Sequence, residues 1–251
     1  MDKRIGAQLY TVREYTQCKA DFEETICKLR DIGYKVVQIS AAGPMKPETI
    51  KEICDDYGME IACTHRGYDE LTQRTDDTIE YHKKLGCDIA GLGSMPPEYR
   101  NINAIHEFVE KMNEAAKKMA AKGITLAYHN HHFEFEKMKN GQLIMDYMLE
   151  NGKFDFIVDV YWLAVAGVNP AEYIKKMGKR AIAIHYKDLA VVNGETVMAE
   201  VMEGNLDWDA IIKASEEAGS RWALVEQDIC QRDPFESMEI SYNNLVKKGF
   251  N

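Results

Sequence analysis

Imidazole, carboxylate and ammonium side chains recur in this sequence directly after short apolar runs. They are His129, His131, Asp159, His185, Lys187, Glu226 and Asp228. Taken singly, a residue of this kind is as often a buried structural group or a helix cap as a functional one. Gathered in one place they would be costly to desolvate without a ligand, so the set indicates a binding or catalytic site.

The ligand types within this set suit a divalent metal ion. Histidine nitrogen and carboxylate oxygen, without thiolate, are typical of sites for Mn²⁺, Mg²⁺, Co²⁺, Zn²⁺ or Fe²⁺. The sequence has no G-x-S-x-G motif, and Gly91-Leu92-Gly93 lacks the further glycine and the lysine of a phosphate-binding loop. We therefore expect one divalent cation, whose identity stays open among these five metals.

Regularly placed glycines indicate the elements that position these side chains. Glycine follows a charged amphipathic segment at Gly33, Gly58, Gly86, Gly123, Gly152, Gly178, Gly219 and Gly249. It is favoured just past a helix end because it enters the left-handed conformation without a steric penalty. A short apolar run stands near the N-terminus and after each of the first seven glycines, as in KFDFIVDV and KRAIAIHY. Such runs are typical of strands buried on both faces of a parallel sheet.

Eight strands alternating with eight helices predict one α/β domain over residues 1–251, a (β/α)₈ TIM barrel, although an open doubly wound sheet would also satisfy the alternation. In a barrel the polar residues at the strand ends meet at one mouth. Substrate-binding candidates there are Gln8, Tyr10, Gln38, His65, Trp162 and Asp228. The irregular stretch 190–205 is expected to be an active-site loop.

Composition and charge limit the partners. The net charge is −10, with 41 acidic against 31 basic side chains and no basic cluster, which argues against nucleic acid and anionic membranes. No apolar run is long enough for a signal peptide or a membrane span, and the six cysteines form no disulfide or zinc pattern. We expect a cytoplasmic protein with a small-molecule substrate, and assembly into a homo-oligomer stays open.

At these residues the chain resembles the xylose-isomerase-like superfamily of sugar isomerases, epimerases and keto-polyol dehydratases. The resemblance lies in IGAQLYTVR, YHNHHFEFE, DVYWLAVAG, HYKD and VEQD, and it extends over nearly the full length. It implies one divalent metal held by two Glu, one Asp and one His, of which Asp159, His185 and Glu226 match three.

The fourth metal-ligand position departs from the family pattern, because His129-Asn130-His131 stands where many relatives have Glu-Asn-His. Either His129 binds the metal or Glu134 turns back to complete the site. We prefer Glu134, because it restores the set of two glutamates and leaves His129 and His131 free to act as general acid or general base. Because side chains alternate between the two faces of a strand, we expect His132 to point away from the site. His82 and His106 stand within predicted helices and are interpreted as surface residues.

The resemblance implies a carbohydrate substrate, which is a sugar, keto-sugar or cyclic polyol, and a metal-stabilised enediolate. Glu226, His129 or His131 would act as base, and Lys187 would donate to the oxyanion. Isomerisation or epimerisation is the expected reaction, and a lyase reaction through the same enediolate is the alternative, as a dehydratase or in the cleavage of oxidised glycosides. Two other classes are a non-catalytic carbohydrate-binding barrel and an abasic-site endonuclease, and the endonuclease would need more metal ligands and a basic face.

Overall fold

Eight parallel strands close into a barrel in the computed structural model, which describes residues 1–251, so the predicted (β/α)₈ fold is confirmed. The barrel strands are β1 (Ile5–Gln8), β2 (Val36–Ile39), β3 (Glu60–Arg66), β4 (Ile89–Leu92), β5 (Thr125–His129), β6 (Asp155–Asp159), β7 (Ala181–Tyr186) and β10 (Trp222–Val225). Around the barrel each strand pairs with its neighbours in chain order, and β10 closes the ring by pairing with both β7 and β1. Two further strands, β8 (Asp188–Val192) and β9 (Glu195–Ala199), form a separate antiparallel hairpin.

Helices connect the strands and cover the outside of the barrel. They are α1 (Lys19–Ile32), α2 (Pro47–Asp56), α3 (Tyr68–Thr72), α4 (Thr75–Leu85), α5 (Ile105–Ala120), α6 (Ile144–Asn151), α7 (Val160–Val165), α8 (Pro170–Met177), α9 (Trp208–Ala218) and α10 (Pro234–Val246). Apolar residues at helical spacing, such as Phe22, Ile26 and Leu29 of α1, are fully buried against the sheet.

The two-residue period of the strands separates a layer inside the barrel from a layer outside it. Tyr128 and Val158 belong to the large cluster between sheet and helices, whereas Ala127 and Ile157 belong to a small cluster of nine residues. Since side chains alternate along a strand, the residue two positions after each inner residue also faces inward. Inner apolar residues Ala127, Ile157, Ala183 and Leu224 are thus followed, toward the mouth, by His129, Asp159, His185 and Glu226.

Two local expectations need correction. The stretch 190–205 is not irregular throughout, because most of its first half forms the β8–β9 hairpin. Gly152 ends α6 with φ −71°, so its position does not require the left-handed conformation. A Cβ there would lie 2.6 Å from the Met148 carbonyl oxygen, which makes close approach of the chain the reason for glycine.

No helix of the structure combines the length and the apolar character needed to cross a membrane.

Gly123 supplies a test of the glycine pattern. Its φ is +77° and a Cβ would meet no atom within 4 Å, so substitution adds conformational strain without a clash. Gly123→Ala should lower the free energy of unfolding by about 1 kcal/mol, measured by urea denaturation. Lys122→Ala, at the neighbouring residue without positive φ, is the control and should change stability by less than about 0.5 kcal/mol. Equal effects of both variants would contradict the role of glycine at this helix end.

Candidate active site

Four side chains from four strands converge at the mouth of the barrel. His129, Asp159, His185 and Glu226 are all buried, and each offers one ligand atom within 4.8 Å of the others. His129 Nε2 lies 3.4 Å from Asp159 Oδ2 and 3.9 Å from Glu226 Oε2. His185 Nδ1 lies 2.9 Å from the same Glu226 oxygen. Two imidazole nitrogens and two carboxylate oxygens at this spacing could hold a divalent cation.

The second nitrogen of each histidine is held by a neutral acceptor. His129 Nδ1 donates to the Gly93 carbonyl oxygen at 2.9 Å, and His185 Nε2 donates to Gln38 Oε1 at 2.7 Å. These bonds direct His129 Nε2 and His185 Nδ1 toward the carboxylates. Histidine ligands of metals are commonly oriented in this way, so the donor set and its supports fit a divalent cation.

Lys187 places a buried ammonium group against the same carboxylates. Its Nζ is 3.4 Å from Asp159 Oδ2, 3.5 Å from Glu226 Oε2 and 2.8 Å from Asp228 Oδ1. Burial disfavours the charged amine, but the neighbouring carboxylates outweigh this effect and raise the pKa of Lys187. The lysine therefore stays protonated and can donate hydrogen bonds.

The carboxylates respond differently to this environment. Burial alone would raise the pKa of Glu226, but the charge of Lys187 and the contact with His185 lower it well below its usual range. Burial and the Glu226 charge raise the pKa of Asp228 to about 6, despite its hydrogen bond to Lys187. Glu226 is therefore ionised, and no group of the chain donates a hydrogen bond to its Oε1.

A cavity of about 390 Å³ opens above the cluster. Of the predicted site residues, its walls contain Tyr10, His65, His129, His131, Glu226 and Asp228. Trp162 is not in this wall, and it packs between His131 and His132 with its indole 5.1 Å from Lys187 Nζ. Gln8 and Gln38 are fully buried behind the wall, where they contact His65 and His185.

Glu134 lies outside the four-residue cluster, contrary to the preference for it as the fourth ligand. Its carboxylate accepts hydrogen bonds from the Tyr128 hydroxyl at 2.5 Å and from the His131 backbone N–H at 2.9 Å. Tyr128 packs in the layer between sheet and helices, so Glu134 is held behind β5. Burial raises the pKa of Glu134 to about 7. Strand alternation explains the outcome, because His129 itself occupies the inward position at the end of β5.

Gly93, Asn130 and Asp188 support the site. Asn130 and Asp188 follow predicted strands in the sequence, where a buried structural group or a helix cap was the alternative to a functional role, whereas Gly93 was not identified from the sequence. The Gly93 carbonyl orients His129, and the Asn130 amide bridges to Asp159 by accepting from its backbone N–H at 2.9 Å. Asp188 is fully buried and accepts from the backbone N–H groups of Leu189 and Met202 at 2.7 and 2.9 Å, so it anchors the segment that carries the hairpin. A backbone carbonyl leaves no mark in a sequence, whereas the Asp after Lys187 was visible but ambiguous.

His82 is also placed differently from the expectation of a surface residue. It is fully buried and bonds to Thr64 Oγ1 at 2.8 Å and to the Thr78 carbonyl oxygen at 2.8 Å. These contacts tie α4 to β3 on the outside of the barrel. His132 is exposed, and His106 is bonded to the Tyr147 hydroxyl at the surface.

Comparison with known families gives one match over most of the chain. The model of the family described as "xylose isomerase-like TIM barrel" matches residues 26–239.

Known proteins with similar sequences or structures include enzymes of two reaction types. A sugar phosphate isomerase/epimerase from Parabacteroides distasonis superimposes with a TM-score of 0.81 at 23% identity, covering 97% of this chain and 93% of the other. A probable 3-DHS dehydratase from Bacillus anthracis gives a TM-score of 0.74 at 10% identity, covering 97% of this chain and 98% of the other. The rhizopine catabolism protein MocC of Rhizobium meliloti is 23% identical over 90% of this chain and 81% of its own length.

The cluster predicts which variants lose a bound metal. Elemental analysis of the wild type purified with Mn²⁺ should give about one ion per chain, because the four ligand atoms define one position. His129→Gln and His185→Ala should each lower the metal affinity about 10-fold or more, because each removes a ligand nitrogen. Glu134→Gln should keep the metal, because that carboxylate is occupied by Tyr128 and His131.

Glu134→Gln is also the matched control, since it changes a buried polar residue next to the same strand. Loss of metal from Glu134→Gln with retention by His129→Gln would reverse the assignment of the fourth ligand.

Proposed function

Since the chain belongs to the xylose isomerase-like TIM barrel family, we propose that it is a divalent-metal-dependent carbohydrate isomerase or epimerase. The observation that carries the proposal is the cluster of His129, Asp159, His185 and Glu226. Of these, His129 and Glu226 line the cavity, and the buried Lys187 ammonium lies 3.5 Å from Glu226. Its substrate is a sugar, keto-sugar or cyclic polyol. The sugar phosphate isomerase/epimerase among the structural relatives supports this reaction class.

The metal would be held by the four residues of the cluster. When bound, it would supply Lewis-acid polarisation of a carbonyl oxygen, which makes the neighbouring C–H bond more acidic. Lys187 is the one ammonium group in contact with three carboxylates, those of Asp159, Glu226 and Asp228, and a divalent cation would balance the remaining negative charge. The donor set is thus matched in charge as well as in ligand type.

Glu226 is the group that we assign as the base. Its Oε2 faces the cluster, at 2.9 Å from His185 Nδ1, whereas its Oε1 accepts no hydrogen bond from the chain and the residue lines the cavity. An ionised carboxylate with one free oxygen can take a proton from the carbon next to the substrate carbonyl. Returning the proton to a different carbon or face gives isomerisation or epimerisation.

Lys187 is the proposed proton donor, and His131 is a neutral polar group of the cavity wall. The Lys187 ammonium is fixed beside Glu226 and can donate to the oxygen that gains negative charge as the proton leaves. His131 lines the cavity, and its Nδ1 has no partner in the chain. Burial and the charges of His129 and Lys187 lower the pKa of His131 to about 2, so it acts as a neutral group.

A second candidate reaction is elimination by a lyase. The family resemblance implies two metal-bound glutamates as opposed bases in epimerases, and here the β5 position is His129 in place of the second one. One carboxylate base combined with Lys187 as proton donor is sufficient to remove a proton and expel a neighbouring hydroxyl or alkoxyl group. The probable 3-DHS dehydratase among the relatives supports this alternative.

A screen by ¹H NMR in D₂O tests the function and separates the two reactions. The Mn²⁺-loaded protein is incubated with keto-sugars, keto-inositols and 3-oxo-glycosides, with EDTA-treated protein as the control. Isomerisation or epimerisation introduces deuterium at the carbon next to the carbonyl, whereas elimination releases water or an alcohol. Conversion that survives complete metal removal would contradict the proposal, and so would a metal-loaded protein that converts none of the three classes.

Lys187→Met should lower kcat by about 10²- to 10⁴-fold on whichever substrate the screen identifies, because it removes the donor to the developing oxyanion. Lys176→Met is the control, since Lys176 is half-exposed and contacts only Asp146 at 2.6 Å among the carboxylates. Circular dichroism melting establishes that both variants are folded. A folded Lys187→Met protein with unchanged kcat would exclude the assigned role.

A further inference from the structure

The two halves of the barrel mouth differ in charge. Strands β5, β6, β7 and β10 contribute the imidazoles and carboxylates of the cluster. In contrast, β1, β2 and β3 contribute mainly uncharged groups: Gln8, Gln38 and His65, with Ser40 directly after β2. The exception is Arg66 at the end of β3, whose charge is paired with Glu70.

The neighbours of His65 determine which of its nitrogens carries the proton. Gln8 Oε1 accepts from the Tyr10 backbone N–H at 3.1 Å, so the Gln8 amide nitrogen is the atom that faces His65 Nδ1, at 3.4 Å. Ser40 Oγ lies 3.2 Å from the same nitrogen. An Nδ1 that accepts from an amide leaves the proton on Nε2 of the neutral ring.

The imidazole of His65 is also fixed in position. A Cβ on Gly93 would lie 3.0 Å from His65 Nδ1, and a Cβ on Gly91 would lie 3.1 Å from His65 Cδ2. The ring therefore lies directly against Gly91, which belongs to β4, and against Gly93, which follows β4. Its Nε2 is enclosed and has no hydrogen-bond partner in the chain. A fixed donor without a partner is costly unless a ligand accepts from it.

The Gln38 side-chain amide is a second buried N–H donor without a hydrogen-bond partner. Its Oε1 accepts from His185 Nε2, which commits the orientation of the amide. The Gln38 Nε2 atom then has no partner, although the residue is fully buried. Gln38 pairs with Cys63 of the neighbouring strand, so it lies deeper in the barrel than His65 and supports the mouth from behind the cavity wall.

No unpaired positive charge lines the cavity to receive a phosphate. Arg66 is the arginine in its wall, and it forms an ion pair with Glu70 while packing on Tyr81. Outside the wall, Arg13 donates to the carbonyl oxygens of Tyr10 and Asp228, and Arg100 donates to the Met95 carbonyl oxygen.

We propose that His65, which lines the cavity, is a neutral donor subsite that binds a hydroxyl or carbonyl oxygen of an unphosphorylated carbohydrate, with Gln38 buried behind it. This proposal rests on the proposed function, because it names the substrate class of the same site. The subsite orients the substrate opposite Glu226 and Lys187, and His65 is a specificity-determining residue that donates through Nε2.

Calorimetric titration of the Mn²⁺-loaded protein tests the subsite without requiring turnover. The probes are D-fructose and myo-inositol, each compared with its phosphate ester, D-fructose 6-phosphate and myo-inositol 1-phosphate. At least one uncharged probe should bind, and its phosphate ester should bind about 10-fold more weakly or worse, because a dianion finds no free cation in the wall.

Variants of His65 test the donor itself. His65→Phe should raise the Kd of the bound probe about 10-fold or more, because it leaves the substrate oxygen unpaired. His65→Gln, whose amide N–H can replace Nε2–H, should recover most of the affinity. His106→Phe is the control at an exposed histidine, and elemental analysis establishes that each variant keeps its metal.

Three results would overturn the subsite: wild-type affinity in His65→Phe, tighter binding of a phosphate ester than of its parent, or no binding by either uncharged probe. Binding without any conversion in the NMR screen would instead contradict the proposed reaction and leave the subsite standing.

Discussion

The burial of opposed charges at one end of the barrel is the constraint on which the structure of the mouth depends. Asp159, Lys187 and Glu226 are almost entirely removed from solvent, and isolated charges in such a position would be strongly destabilising. They are tolerated because each faces a partner of opposite charge within 3.5 Å. A divalent cation among the histidines and carboxylates would complete the balance, which is why the same arrangement suits metal binding.

The surroundings of the cluster hold these groups in place. Gly93 and Gln38 fix the histidine rings, Asn130 joins the ends of β5 and β6, and Asp228 holds Lys187 from the cavity side. Each of these contacts comes from a different strand end, so the geometry depends on closure of the barrel. Positioned in this way, the Lys187 ammonium and the Glu226 carboxylate are fixed 3.5 Å apart, as their proposed roles of proton donor and base require.

In the proposed function the two halves of the mouth have different roles. The charged groups of β5, β6, β7 and β10 would bind the cation and carry out proton transfer. The neutral His65 of β3 would donate to an oxygen of the substrate. Glu134, in contrast, is satisfied by Tyr128 and His131 behind β5 and contributes to the packing of that strand end.

Periodicity and residue type were sufficient to predict the barrel and to indicate a candidate site at its C-terminal mouth, whereas the family followed from the resemblance of several motifs. Short apolar runs alternating with amphipathic segments have few packed solutions, and strand alternation places Asp159, His185 and Glu226 on the inner face. The preference for His129 over Glu134 as the proposed fourth ligand required the tertiary structure, because it depends on whether the Glu134 carboxylate finds a partner elsewhere, and Tyr128 provides that partner from the outer layer. The burial of His82 depends in the same way on Thr64 of a neighbouring strand. Contacts between residues distant in sequence, and backbone acceptors such as Gly93, leave no local signal, so only the folded chain decides them.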